Sequence, residues 1–365
     1  MQVAGAEVLI ERLIEYLGGT IKPSVFCLDE IGPIGERLKA SGVPVIVLGR
    51  NPGVDWRLPS RYADAIIDQK LHILHAHQYT PFFYSALAKW RCSNRHAFKL
   101  IFTEHGRHFP DVVSLKRRMF NKYFLSRLVD KVNACSRFSA DAVEKLEGFP
   151  LCEVILNGIS IDQFPARGGA ADQFSLRGKL GLPLNDPLVA CVARLHPIKD
   201  HLTLLKAWIE VLKTHPNAKL LLVGEGEERN NLEAFCQTHG IEASVKFLGV
   251  HRNVQDFLMC IDVFALTSLT EASPLTLLEA MSCGCPSVVT NVGGNSEHIT
   301  DGVEAFLAPR GDAMKIAECL SRLLSDRGMR ESMGKAAREK VIKDFTIERC
   351  FEQYKQLYSS LTSDP

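Results

Sequence analysis

Three observations predict that this chain is an α/β protein of two Rossmann-like halves. Short runs of β-branched and apolar residues alternate with helical patterns along most of its length, which implies parallel sheets. The alternation pauses over Phe164 to Asp186, where Gly, Ala and Pro accumulate without a strand pattern. A length of 365 residues exceeds one ordinary core, so that pause reads as a joint between two domains.

The elements follow in order. Met1 to Glu7 reads as a small-residue loop, followed by a helix over Val8 to Leu17, where Val8, Leu9, Leu13, Ile14 and Leu17 fall at helical spacing. Strands are expected at Ser24–Leu28, Val43–Leu48, Leu71–His77, Leu100–Glu104, Val132–Cys135 and Val154–Leu156. Helices are expected at Ile34–Ala40, Pro81–Arg91 and Asp111–Leu128, with Ser136 as the N-cap of another. A linker lies around Pro165 to Ala170. The second series places strands at Pro187–Ala193, Ala218–Val223, Val245–Leu248, Val263–Ser268 and Pro286–Thr290. Its helices are Lys199–Lys213, Val254–Cys260, one opening at Pro274, Ala313–Ser325 and Met329–Asp344. In the last segment, Ile347 to Leu361, Phe351, Tyr354, Leu357 and Leu361 share a face, as expected of a helix that docks elsewhere on the molecule. The domains are thus 1–165, on the acceptor side, and 171–345, on the nucleotide side, with helix 346–365 packing back on the first.

Composition narrows the class. Hydrophobic residues make up 46% and charged residues 23%, and the net charge is +1, which gives no global reason to expect nucleic acid as a partner. The charge is uneven: Lys89 to Lys145 holds thirteen Lys and Arg against five Asp and Glu. Eleven cysteines without repeating spacing, most in apolar runs, read as reduced core residues of a cytosolic protein. The sequence opens on no signal-peptide pattern and has no apolar run of membrane-spanning length. The expected location is cytoplasmic, with peripheral contact at the inner face of the membrane.

The chemistry concentrates in Glu271 to Met281, EASPLTLLEAM. Two carboxylates, Glu271 and Glu279, flank a Ser-Pro pair and a helix start. Glu271 sits on a loop at the carboxyl end of a strand, where open α/β sheets bind ligands. Glu279 lies about one and a half turns into the helix. The helix N-terminus between them suits a phosphate. Arg194 ends the first strand of the second half and Lys199 follows five residues on. That pair suits a diphosphate, though it also fits two solvated side chains on a loop. Gly224-Glu225-Gly226 and Gly293-Gly294 either permit close backbone approach or are plain turns.

These pieces resemble the retaining glycosyltransferases of family 4, which have the GT-B fold: two Rossmann-like domains facing a cleft. The resemblance rests on VARLHPIKDHLTLLKAW, LLLVGEGEERNNLE, VKFLG, EASPLTLLEAMSCGCPSVVTNVGGNSEHI and DGVEAFLAP. The first half adds HGRHF, ACSRFSADAV and VILNGISIDQF. Glu271 and Glu279 match both ends of the family's E-x7-E motif. The resemblance implies that Arg194 and Lys199 hold the donor's diphosphate, Glu279 the ribose hydroxyls and Glu271 the donor sugar. Backbone N–H groups of Ser273, Pro274's neighbour Leu275 and Thr276 would face sugar and phosphates. Gly224 joins this donor-binding set, His105 reaches the sugar from the first domain, and Gly5 lies on the loop approaching the diphosphate. The implied activity is transfer of a sugar from a UDP- or GDP-sugar to a glycan or lipid-linked acceptor in cell-surface polysaccharide or glycolipid biosynthesis. Neither metal nor cofactor is implied, in keeping with the absence of a DxD-type acidic cluster.

Several positions depart from the family pattern. Ala272-Ser273 replaces the usual Gly-Phe, Glu304-Ala305 the usual Asn-Gly, and Ala4-Gly5 the usual glycine pair. Family members begin with a strand before the first loop, and here the N-terminal domain lacks it. The expectation is a start inside a longer gene, and the alternative is an intact but impaired domain. The corresponding rival function is a truncated nucleotide-sugar-binding protein with little turnover. Epimerisation of a nucleotide sugar is a second rival, against which the E-x7-E motif speaks. His75 and His77, two apart at a strand end, either line the acceptor side or begin a metal site. The segment Ser114 to Leu128 mixes basic and apolar residues. It reads as a helix buried on one face, or as a contact for a membrane surface or lipid-linked acceptor.

Overall fold

The computed structural model describes residues 5–106, 113–251 and 253–362. Expectations attached to Met1–Ala4, to the 107–109 part of HGRHF and to the head of the basic helix at Asp111 lie outside them. The chain sorts into two compact units, Met1–Leu156 with Cys350–Pro365, and Asn157–Arg349.

The first unit runs α1 (Gly5–Tyr16), β1 (Val25–Cys27), α2 (Gly32–Ala40), β2 (Val45–Val47), α3 (Leu58–Asp68), β3 (Ile73–His77), α4 (Tyr79–Cys92), β4 (Lys99–Glu104), α5 (Leu115–Tyr123), β5 (Lys131–Ala134), α6 (Arg137–Lys145) and β6 (Glu153–Val154). Its strands are parallel. Among the described residues they form a separate pair, β1-β2, and a four-stranded sheet in the order β3-β4-β5-β6. Phe82 of α4 stacks on Phe102 of β4 with ring centroids 4.4 Å apart, at the centre of this unit's core. Ser136 caps α6 as expected, accepting from the Ser139 N–H at 3.2 Å.

Two readings of this half need correction. Helix α1 begins at Gly5, so Gly5 is helical and not part of a loop reaching Glu7. Ala6 and Glu7 are good helix formers, and Glu7 suits the positive end of the helix. The basic helix α5 does not bury its apolar face. Leu115, Met119, Phe120 and Tyr123 are exposed, and the residue it buries is Asn121. Polar bonds explain the inversion: Asn121 accepts from the Tyr79 hydroxyl at 2.7 Å and donates to Glu147 Oε2 at 2.6 Å. Arg117 pairs with the buried Glu147 and lies over the Tyr79 ring.

The second unit runs α7 (Ala170–Lys179), β7 (Leu188–Val192), α8 (His201–Thr214), β8 (Lys219–Val223), α9 (Arg229–Thr238), β9 (Val245–Gly249), α10 (Val254–Cys260), β10 (Val263–Leu266), α11 (Leu275–Ser282), β11 (Ser287–Thr290), α12 (Asn295–His298), β12 (Ala305–Ala308), α13 (Ala313–Ser325) and α14 (Arg327–Asp344). Its six parallel strands lie in the order β12-β11-β10-β7-β8-β9. Every residue of β7, β10 and β11 is buried, as expected of strands covered on both faces. The order reverses between β7 and β10, which pair through Val263 with Val189 and Phe264 with Ala190.

Helix α15 (Ile347–Thr362) carries the chain from the second unit back into the first, where Phe351, Tyr354 and Leu357 are buried. All eleven cysteines are buried and reduced. Among the described residues no helix is long and apolar enough to cross a membrane.

Candidate functional site

The switch between β7 and β10 defines where this unit can hold a ligand, because chain segments leaving the carboxyl ends of these neighbours turn to opposite faces and open a crevice. Arg194 leaves β7 and is exposed. A single 3-10 turn, Pro197–Lys199, follows. Asp200, in a left-handed conformation, caps α8 by accepting from the Thr203 N–H at 3.3 Å. Lys199 therefore stands just before α8 and not within it.

On the β10 side, Lys199 Nζ donates to Glu271 Oε1 at 2.5 Å, and Ser268 Oγ donates to the same oxygen at 2.6 Å. The two charged side chains retain 19% and 9% exposure, so this ion pair is largely withdrawn from water. Behind it, the Thr290 hydroxyl donates to the Ser268 carbonyl at 2.7 Å, and the Leu269 N–H to the Ile198 carbonyl at 2.8 Å. The 3-10 turn, the end of β10 and the end of β11 are thus tied into one frame.

Pro274 is the N-cap of α11, one position before the first turn expected for it. Leu277 and Leu278 donate to its carbonyl at 3.1 and 3.3 Å. The N–H groups of Leu275 and Thr276 have no partner among the described residues, leaving them as orphan donors at a helix start. Glu279 follows one turn later and is half-buried; its Cα–Cβ bond tilts back toward that first turn. Ser273 is buried. Its hydroxyl bonds His298 Nε2 at 2.9 Å, and its carbonyl accepts from Asn157 Nδ2 at 3.2 Å. Burial holds the His298 imidazole at a pKa of about 4, with nearby Lys340 acting in the same direction, so it is neutral at pH 7.

The glycines are spacers. A Cβ on Gly293 (φ +53°) would lie 1.9 Å from the Glu271 carbonyl, to which the next residue, Gly294, donates at 2.9 Å. A Cβ on Gly224 (φ +145°) would lie 2.0 Å from the Ala193 carbonyl, and one on Gly226 2.2 Å from that of Leu195. Both glycine pairs therefore let one loop lie against another, Gly293 under Glu271 and Gly224 under the Arg194 loop.

Of the residues expected from sequence, Arg194, Lys199, Gly224, Glu271, Ser273, Pro274, Leu275, Thr276 and Glu279 all belong to this unit. His105 and Gly5 belong to the other. Ser268, Thr290, Asn157 and His298 were missed. Ser268 and Thr290 carried a signal, each as the polar residue ending an expected apolar strand.

In the first unit His105 Nε2 bonds His77 Nδ1 at 2.8 Å, and the His77 ring lies 4.0 Å from that of His75. His75 Nδ1 bonds the Tyr358 hydroxyl at 2.7 Å, its Nε2 bonds Thr103 Oγ1 at 2.5 Å, and Thr103 donates to Asn133 Oδ1. Thr103 gives its proton to Asn133, so His75 must donate from Nε2 and accept from Tyr358 at Nδ1. Burial lowers His75 to about 3 and His105 to about 4, and places His77 well below its ordinary value. All three rings are neutral at pH 7. Among the described residues no three His, Cys, Asp or Glu side chains are placed to hold a metal ion.

The second unit is doubly wound and gathers cations, carboxylates and helix N–H groups at its switch point, and the fold class of the chain is GT-B. The profile described as "Glycosyl transferases group 1" matches residues 172–340, and that described as "Glycosyltransferase Family 4" matches residues 3–163. Similar proteins include an N-acetyl-alpha-D-glucosaminyl L-malate synthase from Bacillus anthracis, 30% identical over 86% of this chain and 81% of its own. A GDP-mannose-dependent monoacylated alpha-(1-6)-phosphatidylinositol monomannoside mannosyltransferase from Corynebacterium glutamicum is 29% identical over 74% of this chain and 71% of its own. Among solved structures, Anabaena HepE in complex with UDP and glucose superposes with a TM-score of 0.85 at 23% identity, over 98% of this chain and 96% of its own. The chain belongs to the family 4 glycosyltransferases.

Proposed function

We propose that the protein transfers a sugar, with retention, from a UDP- or GDP-sugar to a glycan or lipid-linked acceptor in the synthesis of a cell-surface polysaccharide or glycolipid. The observation that carries the reading is the Lys199–Glu271 pair beside the orphan N–H groups of Leu275 and Thr276. Cation, carboxylate and helix start sit together at the switch point. In this reading Arg194, Lys199 and the two N–H groups take the diphosphate, Glu279 takes the ribose hydroxyls and Glu271 the sugar. For His105 and Gly5 the roles near sugar and diphosphate rest on the family resemblance.

The chemistry follows from charge. The bond from the anomeric carbon to the phosphate oxygen breaks, and negative charge grows on the diphosphate. Donors already aimed there stabilise the transition state more than the ground state. The sugar becomes oxocarbenium-like, and the carboxylate of Glu271 offsets that charge. The acceptor oxygen forms its new bond on the face the phosphate leaves. Its proton passes to the departing phosphate oxygen, so no metal is needed for the step. The relatives' names support the donor and acceptor classes: one is GDP-mannose-dependent with a phosphatidylinositol mannoside acceptor, and another is a UDP-Gal enzyme of Escherichia coli acting on a diphosphoundecaprenol-linked sugar.

A panel of UDP- and GDP-sugars read by thermal shift identifies the donor, since a ligand that binds the folded state raises its melting temperature. Incubation with acceptor should then release free nucleotide, and the product's anomeric configuration by NMR should equal the donor's. Donor binding without nucleotide release for any acceptor would favour a binding protein, and an inverted anomer would exclude retention.

The exposed face of α5 supports a peripheral membrane site at the inner leaflet. Leu115, Met119, Phe120 and Tyr123 share that face with Lys116, Arg118 and Lys122. Ring contacts extend the patch from Phe120 through Phe124 to the exposed Trp90, and through Phe83 to the exposed Trp56.

A further inference from the structure

The second unit holds a cavity of about 810 Å³ at the opposite edge of its sheet from the candidate donor site. It opens at the amino ends of β7, β10 and β11, where Asn185, Asp262 and Gly284 line it, and α14 forms one wall. The volume falls in the range of small-molecule sites.

Its charges do not balance. The three carboxylates on its wall each have a cation: Asp262 bonds Arg177 at 2.9 Å, Glu331 bonds Arg327 at 2.7 Å, and Glu339 lies 3.9 Å from Lys335. Three further guanidiniums, Arg167, Arg330 and Arg338, face the same space and have no carboxylate within ion-pair distance among the described residues.

Each is nevertheless fixed. Arg167 donates from Nη1 to the Ile261 carbonyl at 3.0 Å, and Arg330 from Nη1 to the carbonyls of Leu323 and Leu324 at 2.6 and 2.9 Å. Arg338 donates from Nη1 to the carbonyls of Phe164 and Ser282. These bonds occupy one nitrogen of each fork and leave Nε and Nη2 unspent. Capping carbonyls explains why each arginine is ordered. It does not account for a wall of six cations against three carboxylates, on which Arg167 and Arg330 share Glu331 with Arg327; an anion between them would relieve that excess. A planar guanidinium held by one nitrogen presents the remaining edge in the geometry that phosphate oxygens match. Phe174, Leu184 and Ile342, all exposed, add apolar surface to the same walls.

We propose that this cavity is a second anion site that binds a phosphate group carried on a partly apolar molecule, either a lipid headgroup or a free phosphate ester. The proposal is independent of the donor-site reading.

The test uses the full chain with Arg194→Ala and Lys199→Ala, which removes the candidate diphosphate contacts at the other edge. Inorganic pyrophosphate and a water-soluble short-chain phosphatidic acid are titrated by calorimetry. Binding is expected to persist in this background and to weaken about tenfold or more with Arg330→Gln or with Lys335→Glu. Lys335 caps no carbonyl, so its charge reversal leaves the backbone bonds intact, and circular dichroism checks the fold of both variants. Phosphatidic acid binding tighter than pyrophosphate, with the difference lost in Phe174→Ala, assigns a headgroup. Equal binding of the two assigns a free phosphate ester. If neither probe binds this background, or if both Arg330→Gln and Lys335→Glu leave the affinity unchanged, the proposal is overturned.

Discussion

Lys199 Nζ lies 2.5 Å from Glu271 Oε1, so in the ligand-free protein the cation proposed for the donor's diphosphate already holds a carboxylate. Donor phosphate and Glu271 then compete for Lys199. Glu271→Gln removes the competitor and a nearby negative charge while keeping a group of the same shape. Affinity for the free nucleoside diphosphate should rise about threefold, the scale of a weak ion pair. Turnover should fall at least about a hundredfold, because the carboxylate proposed to offset the sugar's charge is gone. Calorimetry with the nucleotide and a nucleotide-release assay read the two effects separately. A loss of nucleotide affinity in Glu271→Gln would contradict the competition. Lys199→Ala has a further cost, because it strands a largely buried carboxylate, and should lower stability by about 1–3 kcal/mol in urea unfolding.

Gly293 makes a sharper case. It combines a left-handed φ of +53° with a would-be Cβ 1.9 Å from the Glu271 carbonyl. Gly293→Ala must move the Glu271 loop or strain the backbone. The expected loss is at least about 2 kcal/mol, with donor affinity falling alongside. Gly302, also at positive φ (+76°), has open space where its Cβ would be, so Gly302→Ala serves as the control for backbone strain alone. Equal losses of donor affinity in the two variants would show that the contact with Glu271 is not what matters at Gly293.

The contrast between these residues shows what sequence carries. Val263–Leu266 and Leu188–Val192 are continuous apolar runs, and strands buried on both faces have to be. Ala313–Ser325 and Val254–Cys260 match their expected spans because apolar spacing and clear breakers bound them. Helix α7, within the Phe164–Asp186 stretch where no element is expected, carries little sequence signal because it buries only Arg177, which leaves no apolar period to detect. Helix α5 misled for a related reason: its apolar residues have helical spacing, yet the anchor is the polar Asn121. At the site, the E-x7-E motif placed Glu271 and Glu279. The partner of Glu271 is 72 residues away, and the Ser273–His298 bond joins residues 25 apart. Such pairings are set by strand order, which a single sequence does not display.

Acid stability follows from the neutral histidines. His298, His201 and His105 are held at about 4 and His75 at about 3, chiefly by burial, against an ordinary value of 6.5. Each pKa is depressed in the folded state, so the unfolded chain binds the proton more readily. Stability is therefore full above about pH 6.5 and is lost as pH falls from there toward 4, by up to about 1.4 kcal/mol per pH unit for each such group. Urea midpoints between pH 7.5 and 4.5 should fall with a slope of more than one proton. His298→Gln keeps a donor for Ser273 and should flatten that slope by about one proton. An unchanged slope in His298→Gln would mean that His298 titrates alike in both states.

The α5 face gives the last prediction. An isolated helix side carrying Leu115, Met119 and Tyr123 exposed costs stability in water, because these side chains gain nothing there from burial. The same arrangement, flanked by Lys116, Arg118 and Lys122, is favourable at an anionic lipid surface. There the apolar side chains enter the interface and each cation near the surface adds about 1 kcal/mol. The full chain should float with vesicles containing phosphatidylglycerol and not with pure phosphatidylcholine, and the bound fraction should fall as salt is raised. Met119→Asp with Tyr123→Asp should reduce partitioning at least about tenfold. Nucleotide affinity should stay unchanged in that variant, because neither Met119 nor Tyr123 is among the proposed donor contacts, and Arg194, Lys199 and Glu279 lie in the other unit. Binding that ignores salt and survives both substitutions would place any membrane contact elsewhere on the protein.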